Sequence, residues 1–366
     1  MREPDTVLAE DLSLVADDER VEWERFRGST VLVTGATGLL GSLLVKSLAL
    51  ANIRRDLALR ILAVARSEEK ARAVLRGPLE CPFVRLVLGD CREPLQIDDA
   101  VDYVFHAASV TASKTMVERP YETIDVTLTG TKRMLELGRE HSVRGLVYFS
   151  SMEVYGVTDS QKDGLSECDL GFVDPLSPRS SYPESKRMAE GMCAAAAHEF
   201  GMPVTIARLV QTFGPGVAET DNRVFAQFAR AILSGKDIVL RTDGATASCH
   251  CYSRDVAVAL LMLATKGARG EAYNVSNEET FCSVREMAER LIAAHPECGT
   301  RLTFEIPPAA PRPEYAPASR LKVLSGKMRG LGWSPSVGLE EAYDRLIRSF
   351  EWRMRVQRGG ADCVGE

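Results

Sequence analysis

No apolar run in this 366-residue chain is long enough to span a bilayer, and the acidic stretch from Met1 to Arg20 lacks the basic start and apolar core of a secretory leader. A cytoplasmic protein with no membrane partner is therefore expected. An excess of positive charge is also missing. With a formal net charge of −6, the surface cannot neutralise a phosphate backbone at large, so nucleic acid is not an expected partner. The nine cysteines contain no CxxC pair, and Cys249-His250-Cys251 is too tight for zinc-finger spacing. Reduced thiols and no bound metal are expected. Internal repeats and low-complexity tracts are absent. What is present is a composition of 45% hydrophobic and 26% charged residues, sufficient for one large core or a domain with a lobe.

Acidic residues mixed with Leu8, Leu12, Trp23 and Phe26 predict a helical extension over residues 1–28. Strand-like apolar runs follow at Ser29–Val33, Arg60–Ala65, Val84–Leu88, Tyr103–His106, Leu146–Ser150 and Val204–Arg208. Helix-like segments at Leu39–Ala51, Ser67–Leu75, Val126–Glu140 and Ser185–Phe200 alternate with them. Such alternation predicts an α/β fold, a Rossmann-type doubly wound parallel sheet covered on both faces. The dinucleotide-binding domain is placed at 29–210 plus about 250–276. A smaller, irregular substrate lobe is expected at 211–249 and 277–355, with a helix near Arg223–Ser234, a short strand at Tyr273–Val275, an extended Pro307–Pro317 connection and a frayed tail at 356–366.

Between the first strand and its helix stands Thr34-Gly35-Ala36-Thr37-Gly38-Leu39-Leu40-Gly41, the context a dinucleotide-binding turn requires. Gly35 allows the tight turn, Gly38 lets the backbone approach a pyrophosphate, and Gly41 permits close packing while the helix start offers free N–H groups. At the end of the second strand an acid would bind the ribose 2′-hydroxyl, whereas this chain has Arg66 and Ser67. That exchange tilts the expectation toward NADP. Asp90 is a candidate acceptor for the adenine amino group, or a loop-capping residue.

Ser150-Ser151-Met152-Glu153-Val154-Tyr155-Gly156 follows a buried strand, and Tyr182-Pro183-Glu184-Ser185-Lys186 opens a helix further on. Residues four apart share a helix face, so the Lys186 ammonium is expected beside the Tyr182 phenol, lowering its pKa and making it a base for a carbinol proton. Ser151 would bond the same oxygen.

In this order the motifs resemble those of the extended short-chain dehydrogenases/reductases, the NAD-dependent epimerase/dehydratase family of nucleotide-sugar enzymes. The resemblance runs from about Ser29 to Trp352. It includes His106-Ala107-Ala108, Gly130-Thr131, Gly214-Pro215, Asp221-Asn222-Arg223-Val224, the Asp255 region, Tyr273-Asn274-Val275 and Leu331-Gly332-Trp333. It implies a tightly retained NAD(P), a nucleotide-diphosphate sugar as substrate, and a homodimer through paired core helices. The catalytic set expected is Ser151, Glu153, Tyr182 and Lys186. The cofactor set adds Cys91, His106, Ala107 and Ala108 to the turn residues, Arg66, Ser67, Asp90, Tyr182 and Lys186. The substrate set is Ser109, Ser151, Met152, Gln211 and Arg223.

The resemblance further implies oxidation at sugar C4, with the cofactor recycled. Glu153 matches the glutamate that 4,6-dehydratases and UDP-glucuronate decarboxylases carry, which favours subsequent C5 chemistry: dehydration, decarboxylation or epimerisation. Two departures complicate the match. Met152 replaces an aspartate that acts as acid in the dehydratases, and a thioether donates no proton. Ser248 stands where the decarboxylases carry an arginine, removing a bidentate anion partner. Gln211 replaces a common Asn, and Gly216 a frequent Arg. An alternative reading, encouraged by Arg66, is a net NADPH-dependent ketone or aldehyde reductase on the same fold.

Overall fold

The computed structural model describes residues 5–159, 162–306 and 319–361. The expected Pro307–Pro317 connection and residues 362–366 of the expected tail lie outside the described residues.

Helix α1 (Thr6–Ala16) precedes strand β1 (Thr30–Thr34), and the glycine turn leads into α2 (Leu39–Arg55). Then come β2 (Arg60–Ala65), α3 (Glu68–Val74), β3 (Val84–Leu88), β4 (Tyr103–His106), α4 (Ser113–Glu118), α5 (Pro120–Glu140), β5 (Gly145–Ser151), α6 (Ser181–Phe200) and β6 (Val204–Leu209). The second half holds β7 (Gln211–Phe213), α7 (Val224–Ser234), β8 (Ile238–Leu240), β9 (Ala247–Tyr252), α8 (Ser253–Lys266), β10 (Ala272–Val275), β11 (Asn277–Ser283) and α9 (Val284–Ala294). It ends with β12 (Leu302–Phe304), β13 (Arg320–Leu321), α10 (Gly326–Arg329) and α11 (Leu339–Ala361). Helix α11 continues through positions where the sequence predicted a frayed tail.

Seven strands form one parallel sheet in the order β10-β6-β5-β4-β1-β2-β3. Every residue of β1 is buried, as a central strand covered on both faces demands. Alternate side chains divide between the two faces. Val31 and Val33 pack with α2 and α8, while Leu32 packs with Met134 of α5 and Ala189 and Cys193 of α6. A third core joins α7, α9 and α11 in the C-terminal half, beside a smaller sheet in which β9 pairs with β7, β11 and β13.

Strand order reverses direction between β1 and β4, the position where α/β sheets leave a crevice beyond their carboxyl ends. The segments carrying Gly35, Arg66, Ala107 and Ser151 all leave the sheet at that edge. A surface cleft of about 850 Å³ opens elsewhere, among Asn52, Arg60, Phe83, Arg85 and Asp99 around the start of β2 and β3. Its volume does not make it the site, because it holds none of the paired acid, base and glycine-turn groups.

Candidate active site at the carboxyl edge of the sheet

Gly35 has φ of +63°, and a Cβ there would stand 2.9 Å from the backbone of Ala107 and Ala108. Glycine is thus required twice, by the turn and by the close approach of β4. A Cβ on Gly41 would collide with the Gly35 carbonyl oxygen, whereas one on Gly38 would meet only that oxygen, at 3.3 Å. Gly38 is exposed and is the N-cap of α2 with no side-chain capping bond. Unclaimed N–H groups in the first turn, at Leu39, Leu40 and Gly41, therefore suit an anionic diphosphate. Thr37 is half-buried beside them. The cradle fits a dinucleotide.

Arg66 is exposed at the end of β2, 4.0 Å from Asp90. Ser67 caps α3 through the Lys70 N–H at 3.2 Å. Asp90 accepts from the Arg92 backbone at 3.0 Å and from its guanidinium at 2.9 Å, bonds that hold its pKa below the usual carboxylate value. The loop-capping alternative thus describes what its carboxylate does. Arg92 reaches on to Asp125 at 2.9 Å. The Cys91 thiol is buried, with its pKa raised to about 11 by burial, and lies where a Cβ on Gly130 would come within 2.9 Å of it.

The ring of His106, expected among the cofactor contacts, faces the interior instead. It sits 2.8 Å from the Thr34 hydroxyl and 3.5 Å from that of Thr131. Burial, aided by the nearby Lys186 charge, lowers its pKa to about 3, so it is neutral. Its ring ties β1 and β4 to α5, leaving only its backbone at the crevice edge. Thr34 also accepts the Ala108 N–H at 3.1 Å, and Ser109 is half-buried in the loop beyond.

Tyr182 and Lys186 occupy the first turns of α6, which starts at Ser181, four residues before the predicted start. Pro183 is tolerated there because first-turn N–H groups have no intrahelical acceptor. Tyr182 is hydrogen-bonded to Ser151. The Lys186 ammonium donates to the Phe149 carbonyl at 2.7 Å and lies 5.7 Å from the Tyr182 ring centroid. The expected lowering of the phenol pKa does not follow from this pair. Burial first, and the Glu153 carboxylate second, hold Tyr182 above its ordinary value, against the Ser151 bond and the charges of Arg179 and Arg223. Burial also lowers Lys186 to about 8. Removing both groups from water disfavours each charged form, an effect that helical spacing alone does not reveal.

Glu153 follows Ser151 on a short 3-10 turn and pairs with Arg179 at 2.8 Å. Sequence reasoning missed Arg179. The available signal was its place three residues before Tyr182, within one turn of the same helix start. Arg223, the N-cap of α7, chelates Asp221 at 2.6 and 3.1 Å, stacks on Phe225, and its charge reaches the Tyr182 phenol. Met152 is buried beside Ser151, and Gln211 is half-buried on β7. Ser248 is a half-buried β9 residue facing Cys282 and Leu321 across the smaller sheet. Gly216 has φ of +100°, so the backbone there disfavours the arginine expected by resemblance.

Two other quoted motifs are structural. Asp255 is buried and accepts from the Ser336 hydroxyl and N–H and the Val337 N–H at 2.6 to 3.1 Å, while Trp333 donates to its carbonyl at 3.0 Å. Together they pin the C-terminal segment onto α8.

Residues 31–276 match the profile of the NAD dependent epimerase/dehydratase family. UDP-glucuronic acid decarboxylase 1 of Xenopus tropicalis is 30% identical over 274 residues, covering 74% of this chain but 62% of that protein, so the chain spans less than two thirds of it. UDP-glucuronic acid decarboxylase 6 of Arabidopsis thaliana is 28% identical over 90% of both chains. Among solved structures, an epimerase from Methanothermobacter thermautotrophicus superposes with a TM-score of 0.77 at 24% identity, over 95% of this chain and 98% of that one. A dTDP-glucose 4,6-dehydratase from Streptomyces venezuelae, solved with NAD bound, gives 0.71 at 24%, over 88% and 97%. These likenesses extend across the sheet, the glycine turn and the Tyr182 helix alike, and the chain belongs to the NAD-dependent epimerase/dehydratase family, within the extended short-chain dehydrogenases/reductases.

Proposed function

We propose that the enzyme acts on a nucleotide-diphosphate sugar, oxidising it transiently at C4 and carrying out chemistry at C5 before the hydride returns. The observation that carries this reading is the meeting of Ser151, Tyr182 and the Glu153–Arg179 pair at one end of β5, next to a glycine cradle that fits a dinucleotide. When bound, an oxidised nicotinamide would supply the hydride acceptor. Gly35, Gly38, Leu39, Leu40 and Gly41 would hold its diphosphate.

Tyr182 takes the C4 hydroxyl proton, and Ser151 donates a hydrogen bond to the same oxygen. The resulting ketone acidifies C5–H. Glu153, steadied by Arg179, then serves as the acid/base at C5. Met152 cannot protonate a leaving hydroxyl, which counts against dehydration; decarboxylation and C5 epimerisation need no such acid, and Ser248 leaves a substrate carboxylate in the former without an arginine partner. Arg223 serves the substrate diphosphate, its planar donors suiting such a group. The relatives named UDP-glucuronic acid decarboxylases support a nucleotide sugar as substrate. Arg66 would favour a 2′-phosphate, and so NADP, although its proximity to Asp90 is also an ordinary surface pairing.

Incubation with a panel of nucleotide sugars, read by product mass and by absorbance at the reduced-nicotinamide band, tests the proposal. Loss of carbon dioxide or an unchanged mass with inverted stereochemistry is expected, without stoichiometric cofactor reduction. Stoichiometric reduction or oxidation of added cofactor would exclude the redox-neutral cycle.

A further inference from the structure

A charged ammonium that is 2% exposed needs an opposing charge, because burial penalises the ion steeply. Lys186 bonds the Phe149 carbonyl at 2.7 Å and lies 4.8 Å from the Tyr148 ring centroid, but neither carries a formal negative charge. Several titratable groups surround it. From its own helix come Tyr182, Glu190 and Cys193, from β4 His106, and from β5 Tyr148. Helix α5 presents Thr131 to the same cluster. Burial holds the Cys193 thiol and the Tyr148 and Tyr182 phenols in their neutral forms, and His106 is also neutral. Glu190, paired with Arg208 at 2.8 Å, is the carboxylate among them, and it opposes the effect of burial on Lys186.

Glu190 lies four residues beyond Lys186, on the same face of α6. Its carboxylate is anchored from two strands. Arg208 of β6 grips it at 2.8 and 3.0 Å, and the Ser150 hydroxyl of β5 donates to it at 2.5 Å. Arg208 is itself braced, donating to the Glu167 carbonyl at 2.7 Å and to the Tyr155 hydroxyl at 3.3 Å. The Tyr155 hydroxyl in turn donates to Asn274 on β10 at 2.6 Å. A fixed carboxylate is thereby installed one helical turn behind the ammonium.

We propose that Glu190, clamped by Arg208 and Ser150, is a positioning residue that keeps Lys186 charged and aligned beside Tyr182. The proposal rests on the role proposed above for Tyr182, beside which Lys186 stands, and it distinguishes Glu190 from a mere brace between α6, β5 and β6. A brace would affect stability and turnover. A charge partner would also move the titration of Lys186.

Protein labelled with ¹³C at lysine Cε, with Lys186→Met identifying the signal, reports that titration without any substrate. Glu190→Gln should lower the Lys186 midpoint by about one pH unit or more, and Glu190→Asp, whose shorter carboxylate keeps its charge, should lower it less. In the nucleotide-sugar assay the alkaline limb of the Glu190→Gln profile should move to lower pH in parallel. The sign follows because the ammonium is present below its midpoint and is lost as pH rises through it. A midpoint unmoved in Glu190→Gln overturns the proposal, as does a reduced kcat with an unshifted alkaline limb. Should Glu190→Gln fail to fold, Glu190→Asp decides: a lowered midpoint supports the proposal, and an unchanged or raised one overturns it. Absence of turnover on every nucleotide sugar would count against the reaction proposed above and leave the titration result to decide the role of Glu190.

Discussion

Tyr182 has two hydroxyl-level neighbours of opposite effect, the Ser151 bond that favours its phenolate and the Glu153 carboxylate that repels it. A phenol held above its usual range is a better base with positive charge close by, and Lys186, 5.7 Å from its ring centroid, supplies such charge only while it is protonated. With the ammonium lowered to about 8, activity should fall as pH rises through that value, since the cation is then lost. A kcat profile flat well above it would remove Lys186 from the account. Tyr182→Phe should reduce turnover by about two or more orders of magnitude, the scale of a positioned acid/base, with nucleotide cofactor affinity nearly unchanged in a binding titration. The candidates Ser151, Glu153, Tyr182 and Lys186 were readable from order and spacing. The depth of burial around them was not, because it is created by β4, β5 and α5 meeting in space, and this is why the direction of the Tyr182 shift was misjudged.

The central strands were legible for a simple reason: a strand buried on both faces must be apolar along its length. The predicted bounds of β2, β3 and β4 coincide with those observed. The smaller sheet was not legible. Its β11, Asn277–Ser283, mixes buried and open positions among mostly polar residues, and β13 has two residues, so neither presents an apolar run. At the glycine turn, sequence and structure assign the same constraint to Gly35. Gly35→Ala places a Cβ 2.9 Å from the Ala107 backbone at a φ of +63°, and it should cost about 1–3 kcal/mol of stability from strain alone. Urea unfolding would measure that loss, and cofactor titration should show weaker dinucleotide binding. A variant as stable and as tight as the parent would contradict the role given to the turn.

Across the molecule, α1 connects the cofactor half to the C-terminal half through a buried acid. Asp11 is 1% exposed and bonds Tyr252 at 2.6 Å and Arg345 at 2.7 Å, so the N-terminal segment packs as part of the body. The opposite side, formed by α5 and α6, leaves Tyr121, Ile124 and Met188 exposed. The family resemblance implies a homodimer through paired core helices, and we propose that α5 and α6, with these apolar side chains exposed, are those helices. Sedimentation should show a dimer for the parent and a monomer for Ile124→Asp combined with Met188→Asp, whereas a parent that sediments as a monomer would refute the pairing. The central claim, that hydride leaves and returns within one turnover, is tested most directly with a nucleotide sugar deuterated at C4. The account predicts a product that retains the deuterium, with unlabelled cofactor in the medium at the end. Deuterium appearing in free reduced cofactor, or missing from the product, would contradict it.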